Sequence, residues 1–396
     1  MYRPVILAPL DHYLPGFKAG GALRSITNLV DRLSDEFDFR IICADRDLGD
    51  AAPYPDIAGR RWVHVGPAQV YYTAPQERTL VSLSRILREV PHHLLYLNSF
   101  FSPRFTILPL LARRLGLIPR RPTILAPRGE FSPGALALKR RKKQIHLTAS
   151  KTTGLLTAVA WQASTEQESA DIRSALGPCA ADVRVAADLS SPLGPRPPPH
   201  GPRAPGAPLR VLFLGRISPM KNLDYALRVL ASVRVPVVFS VVGPPEDAAY
   251  RADCERLAAR LPAHVAVDWR GPVDPSHVAR VMAAHDLFFL PTRGENFGHV
   301  VAEALGAGTP VLLSDTTPWR GLAAAGVGDD LPLADPSAFA AAIERAAAAT
   351  PGEAAARRTR VFAHARERQR TSADVEANRM LFTAALGGRQ AAAALT

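Results

Sequence analysis

Glu295-Asn296-Phe297-Gly298-His299-Val300-Val301-Ala302-Glu303, running on through Ala304-Leu305-Gly306-Ala307-Gly308-Thr309-Pro310-Val311, decides how this chain is read. Two carboxylates stand eight positions apart around a glycine turn and a helix start. Upstream, strand-like Leu287–Leu290 ends at Pro291-Thr292-Arg293-Gly294; downstream, helix-like His299–Ala307 leads to a buried strand over Val311–Leu313. A helix start presents unpaired backbone N–H groups and a partial positive charge, so the Gly298 region is a ready anion site. Glycines at 294 and 298 let the backbone approach a ligand closely. Glu295 on the loop and Glu303 about two turns along the helix are strong acceptors for sugar hydroxyls. The arrangement suits a polyhydroxylated, diphosphate-bearing ligand, whereas either glutamate alone reads more readily as a solvated charge.

A second basic turn lies upstream. Leu212-Phe213-Leu214-Gly215-Arg216-Ile217-Ser218-Pro219-Met220-Lys221-Asn222 is a strand, a turn and a helix start. Arg216 offers a planar fork and Lys221 a compact charge, five apart, and the two are expected to converge on one diphosphate. Gly215 ends that strand, and Gly243 in Val241-Val242-Gly243-Pro244 ends the next, a close-approach backbone position. Near the N-terminus, Pro15-Gly16-Phe17-Lys18-Ala19-Gly20-Gly21-Ala22 joins the first strand to the first helix, and Gly20 and Gly21 present N–H groups to phosphate or make a plain turn.

These segments resemble the E-x7-E motif and donor loops of the retaining GT-B glycosyltransferases of family 4 (group 1). The resemblance is strongest from Leu212 to Val311. It implies an α/β GT-B fold, two Rossmann-like doubly wound domains with a cleft between them. It also implies a retaining transferase (EC 2.4) that moves a sugar from a nucleotide-diphosphate sugar, with UDP or GDP as the carrier. Arg216 and Lys221 would neutralise the pyrophosphate, with Gly20, Gly21, Gly215, Gly243, Asn296, Phe297 and Gly298 also at the donor. Glu303 would bind the ribose and Glu295 the transferred sugar, and Glu295, Arg216 and Lys221 form the catalytic set. Such enzymes need no metal and no separate cofactor; consistently, no His cluster has metal spacing, and Asp329-Asp330 sits in an Ala/Gly-rich stretch away from the donor loop.

Family members often carry histidines in the first domain where this chain has Asn98-Ser99 and Pro127-Arg128-Gly129-Glu130. The latter looks like a branch seen in exopolysaccharide, capsule and lipopolysaccharide assembly. Arg128 and Glu130 bind acceptor or donor, or pair with each other. His12, Asn98 and Ser99 join them as acceptor-side candidates, and the acceptor implied is lipid-linked or a polysaccharide. A GT-B epimerase or phosphorylase and a non-catalytic nucleotide-sugar-binding scaffold are the alternatives; the groups the first two would need are not identified.

Composition agrees. At 396 residues, two domains are natural, and 47% hydrophobic with 21% charged residues reads as globular. Expected boundaries are 1–190, a Pro/Gly-rich linker 191–209, a donor domain 210–370, and a helix 371–396 crossing back to the first domain. Three scattered cysteines suit a reducing cytosol. Neither a signal peptide nor an uninterrupted apolar span is read, so a cytoplasmic location is expected. The net charge of +12 is concentrated in residues 1–200, with 26 Lys and Arg against 17 Asp and Glu. Its densest run, Lys139-Arg140-Arg141-Lys142-Lys143, fits an anionic inner-membrane surface, at about 1 kcal/mol per charge, or a solvated helix face. It lacks the interleaved aromatics of nucleic-acid sites.

Overall fold

The computed structural model describes residues 3–393 apart from 56, 58, 138, 139 and 205, with the side chains of 388–393 excluded. The chain divides into two compact units, Met1–Leu189 with Ala373–Thr396, and Ser190–Ser372.

The first unit is built on eight strands: β1 (Val5–Pro9), β2 (Asp38–Ala44), β3 (Trp62–Val65), β4 (Ala68–Thr73), β5 (Leu94–Asn98), β6 (Thr123–Ala126), β7 (Val159–Ala163) and β8 (Val183–Val185). Their order is β3-β4-β2-β1-β5-β6-β7-β8, parallel except where β3 turns back on β4. Helices α1 (Gly21–Leu33), α2 (Leu80–Glu89), α3 (Leu108–Arg114), α4 (Pro133–Ala137), α5 (Arg140–Thr152) and α6 (Glu166–Leu176) connect them. The central strands are apolar on both faces, as a parallel sheet covered by helices requires. One face carries Ile6, Phe39, Tyr96 and Ile124; the other carries Leu7, Ile42, Leu95, Leu97 and Trp161.

The second unit contains β9 (Leu209–Leu214), α7 (Leu223–Leu230), β10 (Val237–Val242), α8 (Ala248–Ala258), β11 (Val265–Gly271), α9 (Val278–Ala283), β12 (Leu287–Leu290), α10 (His299–Gly306), β13 (Val311–Ser314), β14 (Gly328–Leu331), α11 (Pro336–Ala348) and α12 (Pro351–Thr371). All six strands run parallel in the order β11-β10-β9-β12-β13-β14. Renumbered within the unit, that is 3-2-1-4-5-6, the order of a dinucleotide-binding sheet, whose topological switch point lies between β9 and β12. Ligands of such sheets sit outside the carboxyl ends of the strands at that point.

The alanine- and arginine-rich segment from Pro351 onward forms two helices. Thr350 and Glu353 cap α12 reciprocally, and after Ser372 a separate helix α13 (Asp374–Ala393) begins. Phe382 of α13 stands edge-on to Phe37, Tyr96 and Phe39, with centroids 5.4, 5.1 and 6.2 Å away. Two strands escaped the sequence reading, β4 and β14. Asp329 and Asp330, which the sequence places in an Ala/Gly-rich stretch, lie in β14, where Asp329 pairs with Arg345 at 3.2 Å and Asp330 accepts from the Leu322 N–H at 2.9 Å.

Candidate functional site

Within the second unit, the loops after β9 and β12 meet at the switch point. Leu287 and Phe288 of β12 stand beside Val211 and Leu212 of β9, so both loops leave the same edge. Asn222 ties them together. It takes a left-handed conformation (φ +61°) at the start of α7, its Nδ2 donates to the Pro291 carbonyl at 2.9 Å, and its Oδ1 accepts from Arg293 Nε at 3.1 Å. The Met220 carbonyl accepts from the Arg293 N–H at 2.8 Å and the Thr292 hydroxyl at 3.0 Å.

Across this seam, Lys221 Nζ donates to Glu295 Oε1, with both side chains largely shielded from solvent. The two residues singled out on separate motifs are thus in direct contact. Arg216 leaves the end of β9 half-exposed and pairs with Glu246 at 2.8 Å. Each cation has its own glutamate, a pairing the sequence did not suggest. Gly215 and Gly243 are neighbours: the Gly215 N–H donates to the Val242 carbonyl at 3.0 Å. Gly243 has φ +143°, and a Cβ there would lie 1.9 Å from the Gly215 oxygen, so no side chain fits. Gly298 is left-handed (φ +82°) and opens α10, on which Glu303 stands half-buried. Asn296 and Phe297 lie between Glu295 and this turn, and the Phe297 ring is 4.7 Å from His299.

The family model described as Glycosyl transferases group 1 matches residues 208–349, the segment that carries all of these loops. The second unit carries a group 1 glycosyl transferase domain. Its sequence is 38% identical over 119 residues to a D-inositol 3-phosphate glycosyltransferase of Nocardia farcinica, a match spanning 28% of this chain and 26% of that protein. A phosphatidyl-myo-inositol mannosyltransferase of Mycobacterium tuberculosis is 37% identical over 139 residues, 34% of this chain and 35% of that one. The chain therefore spans only about a quarter to a third of these curated relatives. Over its whole length it resembles Anabaena HepE in complex with UDP and glucose, with TM-score 0.66, 17% identity, and coverage of 98% of this chain and 100% of that one. A sucrose-phosphate synthase from Thermosynechococcus elongatus gives TM-score 0.66 at 19% identity, covering 99% and 100%. The fold is GT-B.

Outside the group 1 domain, the first unit has its own switch point, between β1 and β5. The loop after β1 carries Asp11 and His12, whose Nδ1 is 3.3 Å from the Arg46 carbonyl. It ends at Gly20 (φ +67°), which with Gly21 starts α1. Asp11, which sequence reading passed over, has its pKa raised by burial, against a hydrogen bond with Ser102 and the charges of His12, Arg104 and Arg78. Ser102 follows β5, so this contact joins the two loops.

At the ends of β5 and β6, Ser99 (φ +68°) and Arg128 (φ +57°) are both left-handed, a costly conformation for non-glycine residues that tends to cluster at functional sites. Arg128 and Glu130 do not pair with each other, which corrects one of the two expectations for them. Glu130 accepts from the Ser99 hydroxyl at 2.6 Å and from the N–H groups of Phe100 and Phe101 at 2.5 and 3.1 Å, and burial raises its pKa despite these bonds. Arg128 instead forms an ion pair with Asp188 and donates to Tyr96 Oη at 2.7 Å and Asn98 Oδ1 at 2.9 Å. Burial opposes its charge, but Asp188 and Tyr96 outweigh that and its pKa is raised. Asp188 also accepts from Ser25 of α1 at 2.7 Å. Tyr96 continues the chain to Gln162 at 2.6 Å, and Gln162 to Asn378 of α13 at 3.1 Å. Asp188 had no sequence signal, since a single aspartate before a proline-rich stretch looks like a loop.

Of the basic run, Lys139 lies outside the described residues. Arg140, Arg141 and Lys142 are exposed on α5. Lys143 is turned inward, donating to the Ala135 carbonyl at 2.8 Å and standing 4.8 Å from the Phe101 ring centre. Among the described residues no group of three His, Cys, Asp or Glu converges to hold a metal, and no helix is long and apolar enough to cross a membrane.

Proposed function

We propose that this protein is a retaining glycosyltransferase that moves a sugar from a nucleotide-diphosphate sugar to a lipid-linked or polysaccharide acceptor. It would work in exopolysaccharide, capsule or lipopolysaccharide assembly, peripherally at the cytoplasmic face of the inner membrane. The observation that carries the reading is the Lys221–Glu295 contact, which joins the two motif loops at the switch point of the group 1 domain. The neighbour solved with UDP and glucose, and the phosphatidyl-myo-inositol mannosyltransferase among the relatives, support a nucleotide-sugar donor and a lipid-linked acceptor.

On this reading, Lys221, Arg216 and the N–H groups of the Gly298 turn stabilise the charge that develops as the nucleoside diphosphate departs. Such preorganised charge lowers a barrier most where it meets the transition state rather than the bound substrate. Glu295 holds the transferred sugar and orients the Lys221 ammonium, and Glu303 accepts from the ribose hydroxyls. Gly215 and Gly243 let the backbone close on the donor. His12, Asn98, Ser99, Arg128 and Glu130 shape the acceptor side, the last two by fixing the strand ends through buried bonds. Transfer with retention is a front-face substitution in which the leaving phosphate takes the acceptor proton.

The test is nucleotide release from UDP-, GDP-, ADP- and dTDP-sugars, with and without a lipid-linked acceptor, in the protein and in Lys221→Ala and Glu303→Ala. Acceptor-dependent release, reduced by about 10²–10³ in Lys221→Ala, is expected. Interconversion of free nucleotide sugars would make the protein an epimerase, and donor binding without turnover would make it a scaffold.

A further inference from the structure

The loop that carries Glu295 is gripped from its far side by a residue in neither motif. Trp319 lies in the segment after β13 and is only 4% exposed. Its indole Nε1–H donates to the Phe297 carbonyl at 2.6 Å, and its ring stands edge-on to Phe297 with centroids 6.0 Å apart. Gly298 comes so near that an added Cβ would lie 3.1 Å from the indole nitrogen. The same segment holds the start of the loop, because Thr316 Oγ1 donates to the Thr292 carbonyl at 2.8 Å. Another face of the indole is covered by the Arg368 guanidinium of α12, 4.4 Å from the ring centre.

A trans peptide carries its carbonyl and its N–H on opposite sides. With the Phe297 oxygen held against the indole, the Gly298 N–H is turned away from Trp319. Gly298 then turns left-handed and α10 begins, so the first N–H groups of that helix have no acceptor within it. A flip of the 297–298 peptide would reverse the first of these donors and put a carbonyl dipole in its place.

We infer that Trp319 is a positioning residue of the donor site: its indole N–H fixes the 297–298 peptide so that the Gly298 N–H faces the donor diphosphate, and Arg368 holds the indole in place. The inference rests on the donor-site reading above. It predicts that Trp319 affects donor binding through one hydrogen bond, beyond what its apolar packing contributes.

Trp319→Phe keeps most of the packing and the face for Arg368 but loses the donor. The probe is whichever of UDP, GDP and ADP binds the unmodified protein most tightly by calorimetry, with Lys221→Ala as control. We expect Trp319→Phe to bind that nucleotide about tenfold more weakly, the size of one ordinary hydrogen bond, with a melting temperature near that of the parent. The Trp319 indole ¹H–¹⁵N resonance, identified as the peak missing from Trp319→Phe, should shift when nucleotide is added to the parent. Unchanged affinity in Trp319→Phe and an unmoved resonance, with binding lost in Lys221→Ala, would overturn the inference and leave the donor site standing. If Lys221→Ala also binds normally, or no nucleotide binds the parent, the donor-site reading fails and takes the inference with it. Should Trp319→Phe not fold, the Trp319 resonance of the parent, assigned instead by elimination with Phe substitutions of Trp62, Trp161 and Trp269, decides alone.

Discussion

At the scale of single residues, the structure distinguishes groups held by chemistry from groups held by space. Arg128 is a buried cation whose charge is matched by Asp188. Removing one partner of a buried pair leaves the other uncompensated, at about 3–5 kcal/mol. Arg128→Met should therefore lower the unfolding free energy in urea by about that amount. Adding Asp188→Leu should recover a large part of the loss, because the stranded carboxylate goes with it. Gly243 is the opposite case, in which nothing but room matters. With φ +143° and 1.9 Å to the Gly215 oxygen, Gly243→Ala must move the end of β9. A cost of about 2–4 kcal/mol in urea unfolding is expected, with weakened nucleotide binding. Sequence alone showed Gly243 and the two motif loops, because glycines and charges at strand ends are local signals. Trp319 and Asp188 stayed hidden because their roles depend on partners brought in by the fold.

At the scale of elements, apolar strands and their helices were readable from period and from Gly and Pro punctuation. β14 was not. Its Gly-Asp-Asp-Leu sequence has no strand propensity of its own and is held by register beside Val311–Ser314 and by Arg345 and Arg357 on the Asp329 carboxylate. β4 was passed over because it follows β3 after a turn of only two residues. α5 gives the element-scale prediction. From Arg113 to Lys151 the chain holds eleven Lys and Arg and one acid, Glu130. Arg140, Arg141 and Lys142 are exposed, as is Ile145 at 70%. Liposomes containing phosphatidylglycerol should bind the protein in low salt and release it as salt is raised. Changing the three residues to Gln should weaken that binding by about 3 kcal/mol. Changing Lys143 alone should do less, since it is committed to Ala135 and Phe101; equal effects would discard the surface.

At the scale of the whole molecule, stability is tied to pH through buried imidazoles. Burial lowers the pKa of His146, His200, His285 and His364. The unfolded chain then takes up protons first, so stability falls as pH drops below about 6.5 toward the folded values. Asp11 and Glu130, raised by burial, act in the opposite sense and lose stability as pH rises through their folded values. The histidine contribution is isolated by comparison. Between pH 7 and 5.5 the melting temperature should fall, and fall less in His285→Asn, whose amide keeps a donor for Val281. Parallel slopes would show that His285 does not titrate differently in the two states.

The packing of Phe382 and Asn378 into the first unit sets an order of events during synthesis. Once Ser372 has left the ribosome everything the second unit contains is outside, while the sheet that began at Val5 still waits for its last aromatic wedge. The half of the protein made first is thus the half completed last. A chain truncated after Ser372 should resist protease over 190–372 and be cut within the first 189 residues, whereas the full chain should resist over both.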